Sequence, residues 1–344
     1  MKNIGRVCAL IPARSGSKSV KDKNIRIMNG KPMLAYSVIH ANEAKSVDSV
    51  FVSTDSTIYA DIAKSYNAEV PFLRPAEYAT DTSLDIDVFR HFLNWLTENN
   101  YELPEILVHL RPTHPIRNSF DIDNMIQMLI DHPEADSVRS VSPAQEVPYK
   151  MWLFDDECAM SPLVTCEIPE AYNSPRQVLP KVYMQNACID VIKTSTILKK
   201  NSMTGDVILG YKMNVNFDID TEAEFLRAEQ FLTLKEKISN GEKLRIVCDI
   251  DGIIAGKTPN NDYSKAFPIE KNIKILKAIA EKGNEIVLHT ARGYATGIDW
   301  KSTTKKQMDD WKVPYTQIVY GKPNADFYID DKLVDLSFLG EVFK

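Results

Sequence analysis

The stretch VCALIPARSGSKSVKDKNIRIMNGK, residues 7–31, decides how the first half of this chain folds. Its opening run, Val7 to Ile11, is apolar without polar alternation and stops at Pro12, which predicts a buried strand. A helix is predicted from Pro32 to about Asn42. A strand, a loop rich in Gly, Ser and basic residues, and a helix in this order are typical of a phosphate-binding unit.

The loop of that unit carries Arg14, Ser15, Gly16, Ser17, Lys18, Lys21 and Lys23. Gly and Ser let the backbone bend so that its N–H groups point at an anion, and the cations neutralise that anion. The loop matches neither G-x-x-x-x-G-K-[ST] nor G-x-G-x-x-G. On these residues alone, an anion-binding loop and a solvated basic loop both remain open.

The composition of the chain limits its class of partner. Its 344 residues suggest two domains or one large one, and its net charge is −6. A nucleic-acid binder needs a basic field, so we expect no nucleic-acid partner. A basic loop in an acidic protein instead favours an anionic small molecule.

The cysteines and the apolar runs indicate the compartment. Five cysteines include no C-x-x-C pair, which favours a reducing environment. No signal peptide opens the chain, and no apolar run has the length of a membrane span. We therefore expect a cytoplasmic protein without a membrane span.

Strands and helices alternate through the first half. Strands are predicted at 7–11, 49–54, 106–110 and 137–141, and helices at 32–42, 58–66, 86–96 and 120–130. Such alternation predicts an α/β fold with a mostly parallel sheet and helices on both faces. Ligands bind outside the carboxyl ends of such strands, where the basic loop, Asp55 and Arg111 lie.

The second half predicts a separate domain. Residues 142–180 are irregular and proline-rich, typical of an insertion or lid, and strands follow at 182–192 and 213–219. A helix capped by Thr221 and Glu224 runs to about Ile238, and a polar joint follows at 239–243. We expect domains at 1–240 and 241–344. The second should contain strands at 244–250 and 285–289 and near Ile318 and Phe327, with helices at 271–282 and 303–311.

The triplet Asp-x-Asp occurs four times. Asp85/Asp87 and Asp121/Asp123 lie at helix starts, where we expect capping and surface charge. Asp218/Asp220 and Asp249/Asp251 each end an apolar strand, on which residues i and i+2 point the same way. Two clustered acids favour a hard cation such as Mg²⁺.

A series of ordered motifs makes the first 230 or so residues resemble the acylneuraminate (CMP-sialic acid) cytidylyltransferases. The matching segments are Ile-Pro-Ala-Arg-Ser-Gly-Ser-Lys at 11–18, Lys-Asn-Ile at 23–25, Val-Ser-Thr-Asp at 52–55, Arg-Pro-Ala-Glu at 74–77, Asp-Thr at 81–82, Arg-Pro-Thr-His-Pro-Ile-Arg at 111–117, Pro-Arg-Gln-Val-Leu-Pro at 175–180 and Asp-Ile-Asp-Thr-Glu at 218–222. The family joins CTP to an acidic sugar with Mg²⁺ and releases pyrophosphate. The resemblance implies a Rossmann-like nucleotidyltransferase sheet.

The resemblance also assigns site residues. Nucleotide binding falls to Arg14, Ser15, Gly16, Ser17, Lys18, Lys23, Asn24 and Asp81, of which Arg14 and Lys18 are also expected to be catalytic. Acceptor binding falls to Arg111, Thr113, Arg176, Gln177 and Asn186, and the metal carboxylates are Asp218 and Asp220. These assignments agree with a reaction whose developing charge must be stabilised by cations.

Two residues depart from the family pattern on the acceptor side. The family usually has Gln where this chain has Arg111, and Asn-Gly-Ala where it has Asn186-Ala187-Cys188. Arginine prefers carboxylate, phosphate or phosphonate. The acceptor is therefore open between a nonulosonic acid and a small phosphorylated or phosphonate acid, which would give a CMP- or CDP-linked product.

From about residue 244 the chain resembles the haloacid-dehalogenase (HAD) phosphatases, and among them the small capsular-biosynthesis enzymes. The motifs are Asp249-Ile250-Asp251-Gly252, Leu288-His289-Thr290-Ala291-Arg292, Gly321-Lys322-Pro323 and Asp326-Phe327-Tyr328-Ile329-Asp330-Asp331. The resemblance implies a smaller, capless α/β domain. In it Asp249 is the nucleophile, Asp251 the acid and base, and Thr290 and Lys322 bind phosphate. Asp249, Asp251, Asp330 and Asp331 are the candidate ligands of a second Mg²⁺ or other divalent cation.

Together these patterns predict a bifunctional enzyme of surface-glycan biosynthesis, a cytidylyltransferase fused to a phosphatase. Two alternatives stay open, namely a phosphatase-like domain that serves only as an oligomerisation scaffold, and a non-catalytic nucleotide sensor. The sensor is disfavoured because it does not need two pairs of metal carboxylates. The first family commonly forms homo-oligomers, so a dimer or tetramer is expected.

Overall fold

Strand β1, Val7–Pro12, lies inside a six-stranded sheet, with β4 (Ser49–Ser53) on one side and β5 (Ile106–Leu110) on the other. Both neighbours run parallel to it. Its side chains alternate between two hydrophobic clusters, so both faces of the strand are buried. A strand covered on both faces has no polar alternation, which explains the continuous apolar run.

The computed structural model describes residues 2–17, 20–144, 146–213, 216–294, 296–323, 325, 334 and 336–343, and it divides into two units, Met1–Glu229 and Gln230–Lys344. The division falls within a helix, Glu222–Ser239, somewhat before the polar joint at 239–243.

The first unit is an α/β fold. Its remaining strands are β2 (Ile27–Met28), β3 (Lys31–Pro32), β6 (Ser137–Pro143), β7 (Trp152–Phe154), β8 (Met160–Pro162), β9 (Tyr183–Lys193) and β10 (Ile208–Lys212). Its helices are α1 (Met33–Glu43), α2 (Thr57–Ser65), α3 (Asp85–Glu98), α4 (Ser119–Asp131) and α5 (Thr194–Lys200), and it also contains the first part of α6 (Glu222–Ser239). The sheet order is β10-β6-β9-β5-β1-β4, in which β9 alone runs antiparallel to its neighbours. The prediction of a mostly parallel sheet is confirmed.

Helices α1 and α4 cover one face of this sheet, and α3 covers the other. Leu34 and Met125 pack on the first face. Phe89, Phe92 and Leu96 pack on the second, against Leu10 of β1. Fully burying a side chain of this size stabilises the fold by about 1.5–3 kcal/mol. The two covered faces fix the carboxyl ends of β1, β4 and β5 at one edge of the sheet.

The strand predicted at 213–219 is wrong. Of the residues described there, none belongs to a strand, and the chain leaves the sheet after β10. The Phe217 N–H donates to His114 Nε2 at 3.1 Å, and the Ile219 N–H donates to the Thr113 carbonyl at 2.9 Å. The apolar alternation is real, since Phe217 and Ile219 are buried, but the segment packs on a loop instead of a strand.

The start of α6 follows its predicted cap. The Thr221 N–H donates to Glu224 Oε2 at 2.8 Å, and the Glu224 N–H donates to Thr221 Oγ1 at 3.3 Å. This reciprocal pair satisfies two N–H groups that a helix start leaves without partners. In the first unit, the short strands β2, β3, β7, β8 and β10 and the short helix α5 were not predicted.

The second unit contains a three-stranded parallel sheet in the order β11-β12-β13. Its strands are β11 (Arg245–Asp249), β12 (Glu285–Thr290) and β13 (Gln317–Tyr320), and its helices are α7 (Glu270–Glu281), α8 (Lys301–Asp310) and α9 (Leu336–Val342). The predicted strand near Phe327 lies outside the described residues. Among the helices of the described residues, none is both long and apolar enough to cross a membrane.

Candidate functional site

A cavity of about 330 Å³ lies at the carboxyl ends of β1 and β5. One end is formed by the basic loop and the other by the start of α3 and the end of β5. The residues that line it include Arg14, Ser17, Lys23, Asn24, Asp81, Asp85, His109, Arg111, Thr113 and Asp220. Five of the eight expected nucleotide residues and part of the expected acceptor set therefore share one cavity, whereas Ser15 and Gly16 do not line it.

Two loop residues show how the basic loop is held. The Ser15 N–H and Oγ donate to the Asp55 carboxylate at 2.7 and 2.6 Å. Burial raises the pKa of Asp55, but the hydrogen bonds from Ser15 outweigh it and leave the pKa below its ordinary value. Gly16 has φ +75°, a left-handed conformation that suits glycine. Ser15 thus anchors the loop to the end of β4. Lys18, the other residue of this loop that was expected to be catalytic besides Arg14, lies outside the described residues.

Cations in this cavity are paired with acids. Arg14 Nη2 lies 2.8 Å from Asp81 Oδ1. Lys23 is buried, and its Nζ donates to the Ile219 carbonyl at 2.5 Å and to Asp220 Oδ1 at 3.0 Å. Both cations thus have a carboxylate partner within the chain itself.

Asn24 is oriented by one half of its amide. Its Nδ2 donates to the Arg14 carbonyl at 3.0 Å, while Oδ1 is buried without a hydrogen-bond partner among the described residues. A buried polar atom without a partner is costly, and this one belongs to a residue lining the cavity. Asn24 is therefore suited to accept a hydrogen bond from a ligand.

Asp218 and Asp220 alternate with the buried Phe217 and Ile219 and face away from the core. Burial and the charge of Asp220 raise the pKa of Asp218, and a hydrogen bond with Thr113 opposes this. Two mutually repelling carboxylates beside a cavity fit a divalent cation, which takes few protein ligands and completes its shell from substrate phosphate and water. Within the described part of the chain, no three His, Cys, Asp or Glu residues cluster at metal-binding distance.

The Arg111 guanidinium lies between two carboxylates. Its Nη1 donates to Asp190 Oδ2 and its Nη2 to Asp85 Oδ2, both at 2.9 Å. Arg139 shares Asp190 through its Nε at 2.7 Å. Burial raises the pKa of Asp190, but the charges of Arg111 and Arg139 oppose this, and the pKa lies below its ordinary value.

The sheet itself builds this group of charges, because His109 of β5, Asp190 of β9 and Arg139 of β6 lie opposite one another in register. Asp85 enters from the first turn of α3, where only capping was expected. Asp85, His109 and Asp190 were not predicted as site residues. The sequence pattern that could have indicated His109 is its position two residues before Arg111, because that spacing on a strand places both side chains on one face.

The other expected acceptor residues lie elsewhere. Arg176 and Gln177 are exposed on a short turn, and Asn186 is buried, with Oδ1 accepting from Ser140 Oγ at 2.6 Å. The Thr113 carbonyl accepts from Ile219, so Thr113 also holds the segment that bears the two carboxylates. Of the five residues expected to bind the acceptor, only Arg111 and Thr113 line the cavity.

A second cluster lies at the carboxyl edge of the sheet in the second unit. Lys322 Nζ donates to Asp249 Oδ2 at 2.6 Å, and the Lys322 N–H donates to the Thr290 carbonyl at 3.1 Å. Asp249 ends β11 and Thr290 ends β12. Three of the four residues expected to be catalytic there are thus brought together.

The fourth, Asp251, is bound by an arginine. Arg292 Nε and Nη2 donate to the Asp251 carboxylate, with a shortest distance of 2.7 Å. Arg292 is fully buried, donates to Gln307 Oε1 at 2.7 Å, and lies over the Tyr263 ring at 4.7 Å. Asp330 and Asp331, the other expected metal ligands, lie outside the described residues.

Comparisons with known proteins match the first unit. Residues 8–151 match the family model described as cytidylyltransferase. The chain is 33% identical over 236 residues to "Post-translational flagellin modification protein B" of Campylobacter coli, covering 68% of this chain and 97% of that protein. It is also 33% identical over 234 residues to the "CMP-N,N'-diacetyllegionaminic acid synthase" of Campylobacter jejuni, covering 67% and 97%.

Two further comparisons extend this result. An "N-acylneuraminate cytidylyltransferase" of Streptococcus agalactiae is 31% identical over 221 residues, which are 63% of this chain and 51% of that protein, so the chain matches about half the length of this relative. The solved structure of a CMP:2-keto-3-deoxy-manno-octonic acid synthetase with CTP has a TM-score of 0.50 at 14% identity, covering 66% of this chain and 98% of the other. At that identity the likeness shows the fold alone.

Proposed function

The chain belongs to the cytidylyltransferase family, and we propose that its first unit transfers CMP from CTP to a hydroxyl group of a nonulosonic acid, with release of pyrophosphate. The observation that carries this proposal is the match over 97% of a relative named CMP-N,N'-diacetyllegionaminic acid synthase. The cavity at the end of β1 supports it, because basic and amide side chains of the predicted nucleotide loop line that cavity. The product would be a sugar donor for surface-glycan biosynthesis.

In this reaction the cations of the basic loop hold the triphosphate. Arg14 exchanges Asp81 for phosphate, and Lys23 contributes a buried ammonium beside it. Attack by the acceptor hydroxyl on the α-phosphorus forms the new P–O bond and breaks the bond to pyrophosphate, which leaves with the electron pair, while the hydroxyl proton is released to water. Positioned cations stabilise the negative charge on the transferred group and on the leaving pyrophosphate. Asn24 Oδ1 accepts a hydrogen bond from the nucleotide.

Asp218 and Asp220 are the residues that would hold Mg²⁺. When bound, the ion would neutralise phosphate charge and relieve the repulsion that helps raise the pKa of Asp218. Lys23 joins this carboxylate pair to the phosphate loop through its contact with Asp220.

The experiment that tests this function measures pyrophosphate release from CTP with a panel of nonulosonic acids. Lys23→Gln should abolish release because it removes the buried ammonium. Lys21→Gln is the matched control, since Lys21 lies in the same loop but is exposed and does not line the cavity. Equal rates for the Lys23 variant and the wild type would contradict the proposal.

The state of Arg111 favours a sugar acid over the alternative phosphorylated or phosphonate acceptor. A phosphorylated or phosphonate acceptor carries a double negative charge, and binding it beside CTP needs a cation that no carboxylate already neutralises. Arg111 is already neutralised by Asp85 and Asp190. A sugar acid brings one carboxylate and many hydroxyl groups, which suit a polar cavity in which Arg111 is already paired.

For the second unit we propose a Mg²⁺-dependent phosphatase of HAD type that acts on a phosphorylated intermediate of the same biosynthesis. The convergence of Asp249, Thr290 and Lys322 at one sheet edge supports this proposal. Asp249 would attack phosphorus and form an aspartyl-phosphate while the alcohol leaves. Asp251 would protonate the alcohol and then activate water.

Phosphate release from sugar phosphates by the full chain tests the second activity. Asp249→Asn should abolish release, because an amide oxygen is a poor nucleophile. Asp262→Asn is a control, since Asp262 is partly exposed and paired with Lys265. If the wild type released phosphate from none of a broad panel of sugar phosphates, the scaffold alternative would be correct.

We also propose that the chain forms a homo-oligomer. The segment that contains β7 and β8 exposes an unusual number of apolar side chains, namely Met151, Trp152, Leu153, Phe154, Met160, Leu163 and Val164. A two-stranded ladder of three residues a side is marginal in water, and exposed apolar patches mark interaction surfaces. Light scattering should give a dimer or tetramer, and Phe154→Glu with Leu153→Glu should shift it to monomer.

A further inference from the structure

His109 is a buried side chain whose two ring nitrogens form no hydrogen bond with the described part of the chain that would stabilise the fold. Its side chain is 1% exposed, and neither Nδ1 nor Nε2 has a hydrogen-bond partner among the described residues. Burial and the nearby Arg111 lower its pKa to about 4, so the ring is neutral at pH 7. His109 is one of the residues that line the cavity, and a neutral imidazole has one donor and one acceptor, so both buried nitrogens have an unmet hydrogen bond in the described part of the structure.

Asp85 lies beside this ring, and only one of its two carboxylate oxygens accepts a hydrogen bond within the described residues. Its Oδ2 accepts from Arg111 and lies 3.9 Å from His109 Nδ1. No partner of its Oδ1 is found among the described residues, and the side chain is 43% exposed. Arg111 fixes the orientation of the carboxylate, so that it lines the cavity with one oxygen available.

Arg111 and Arg139 are paired with Asp85 and Asp190, and His109 is neutral. Arg74, which also lines the cavity, acts on Asp85 through its charge. The atom that this corner leaves open is a carboxylate oxygen, which does not attract an anion. It accepts hydrogen bonds, and a ligand without a donor would leave the carboxylate oxygen buried and unsatisfied.

We propose that Asp85 is a specificity-determining residue that, together with His109, binds an N–H or O–H donor group of a substrate. This inference rests on the proposed cytidylyltransferase function and assigns a subsite within it. It replaces the expectation of an anion at Arg111 with an uncharged donor at Asp85, and it makes Arg111 a positioning residue.

Two substrates can supply such a donor. Cytosine carries an amino group at position 4, where uracil carries a carbonyl oxygen that a carboxylate repels. The acceptor carries hydroxyl groups and can carry amide N–H groups. A site built to accept a hydrogen bond discriminates strongly against an analogue that lacks the donor.

The test uses the full chain with Asp85→Asn, which keeps an oxygen for Arg111 but can present N–H instead of a carboxylate oxygen to the ligand. Asp85→Ser is a second variant in case the first does not fold. Asp87→Asn is the matched control, because Asp87 lies two residues along the same helix start and does not line the cavity. Calorimetry measures CTP and UTP binding, and pyrophosphate release measures KM for N-acetylneuraminate.

If the base is the donor, the preference for CTP over UTP should fall about tenfold or more in the Asp85 variants, with the acceptor KM unchanged. If the acceptor is the donor, its KM should rise by a similar factor, with CTP binding unchanged. Either result supports the subsite when Asp87→Asn behaves as wild type. Folded Asp85 variants with wild-type nucleotide preference and acceptor KM would overturn it, while the wild type continued to release pyrophosphate. A wild type that neither binds CTP nor releases pyrophosphate would instead remove the proposed function, and this inference with it.

Discussion

Arg111 donates to Asp190 across 2.9 Å, and the bond joins the loop after β5 to the antiparallel strand β9. The residue that departs from the family pattern therefore balances charges that the protein itself supplies. Arginine binds anions well, and the Arg111 guanidinium binds two carboxylates of the chain itself. The identity of Arg111 is thus weak evidence for an anionic acceptor, and its neighbours carry more information.

Replacing Arg111 should cost stability as well as activity. Arg111→Gln leaves Asp190 with Arg139 as its ion-pair partner and removes the cation that is hydrogen-bonded to Asp85, which we expect to lower the free energy of unfolding by about 2 kcal/mol. Urea denaturation measures this loss. Adding Asp85→Asn to Arg111→Gln should recover part of it, because the double variant no longer holds an uncompensated carboxylate. Equal stability of the single and double variants would contradict the pairing.

The Mg²⁺ dependence of pyrophosphate release should arise from Asp218 and Asp220. Asp220→Asn should lower the rate of pyrophosphate release by about 100-fold and raise the Mg²⁺ concentration needed for half-maximal rate, because one hard ligand is lost. EDTA should stop the wild-type reaction, and added Mg²⁺ should restore it. Asp206→Asn, which changes an exposed carboxylate paired with Lys200, is the control. An unaltered Mg²⁺ dependence in the Asp220 variant would exclude this site.

Acid should destabilise the first unit through Asp136. This carboxylate accepts from Lys200 Nζ and from the N–H groups of Asp206 and Val207, and these contacts hold its pKa well below the ordinary value. A depressed folded pKa gives stability that is present above the unfolded value, about 3.8, and is lost as the pH falls towards the folded value. Asp136→Asn should therefore flatten the decline in unfolding free energy below about pH 4. Asp61→Asn, at an exposed position on α2, should leave the decline unchanged, and the same slope in all three proteins would refute the assignment.

Arg292 should control the position of Asp251 in the second unit. Arg292→Met removes the bidentate partner, and we expect kcat for phosphate release to fall about 10- to 100-fold as Asp251 loses its orientation. Arg292→Lys should recover only part of that loss, since an ammonium cannot reproduce the two parallel hydrogen bonds. Arg245→Gln, which breaks an exposed pair with Glu285, is the control. Full activity in Arg292→Met would show that Asp251 needs no such support.

The first site was predictable where local pattern determines structure. A strand buried on both faces is a continuous apolar run, and the run at Val7 was recognisable for that reason. The basic loop that follows it places Arg14 and Lys23 beside the cavity. The capping pair Thr221 and Glu224 is likewise local. In these places a short window of residues contains all the interactions that matter.

Other parts of the site depend on contacts between distant residues. Arg111 meets Asp85 and Asp190 from 26 and 79 residues away, and nothing in the local pattern distinguishes Asp85 from an ordinary acid in a first helical turn. The segment around Phe217 alternates like a strand because the loop at Thr113 supplies its hydrogen bonds. Sequence periodicity reports burial on one side of a segment, and it does not report which partner does the burying.

The central claim is that this chain joins CMP to a sugar acid. The most direct measurement incubates the full chain with CTP, Mg²⁺ and each of a panel of nonulosonic acids, and follows pyrophosphate together with the mass of the nucleotide product. We expect pyrophosphate and a CMP-linked sugar in equal amounts with at least one of these acids. CTP binding without pyrophosphate release for every acid, or release only with phosphorylated or phosphonate acids, would contradict the account.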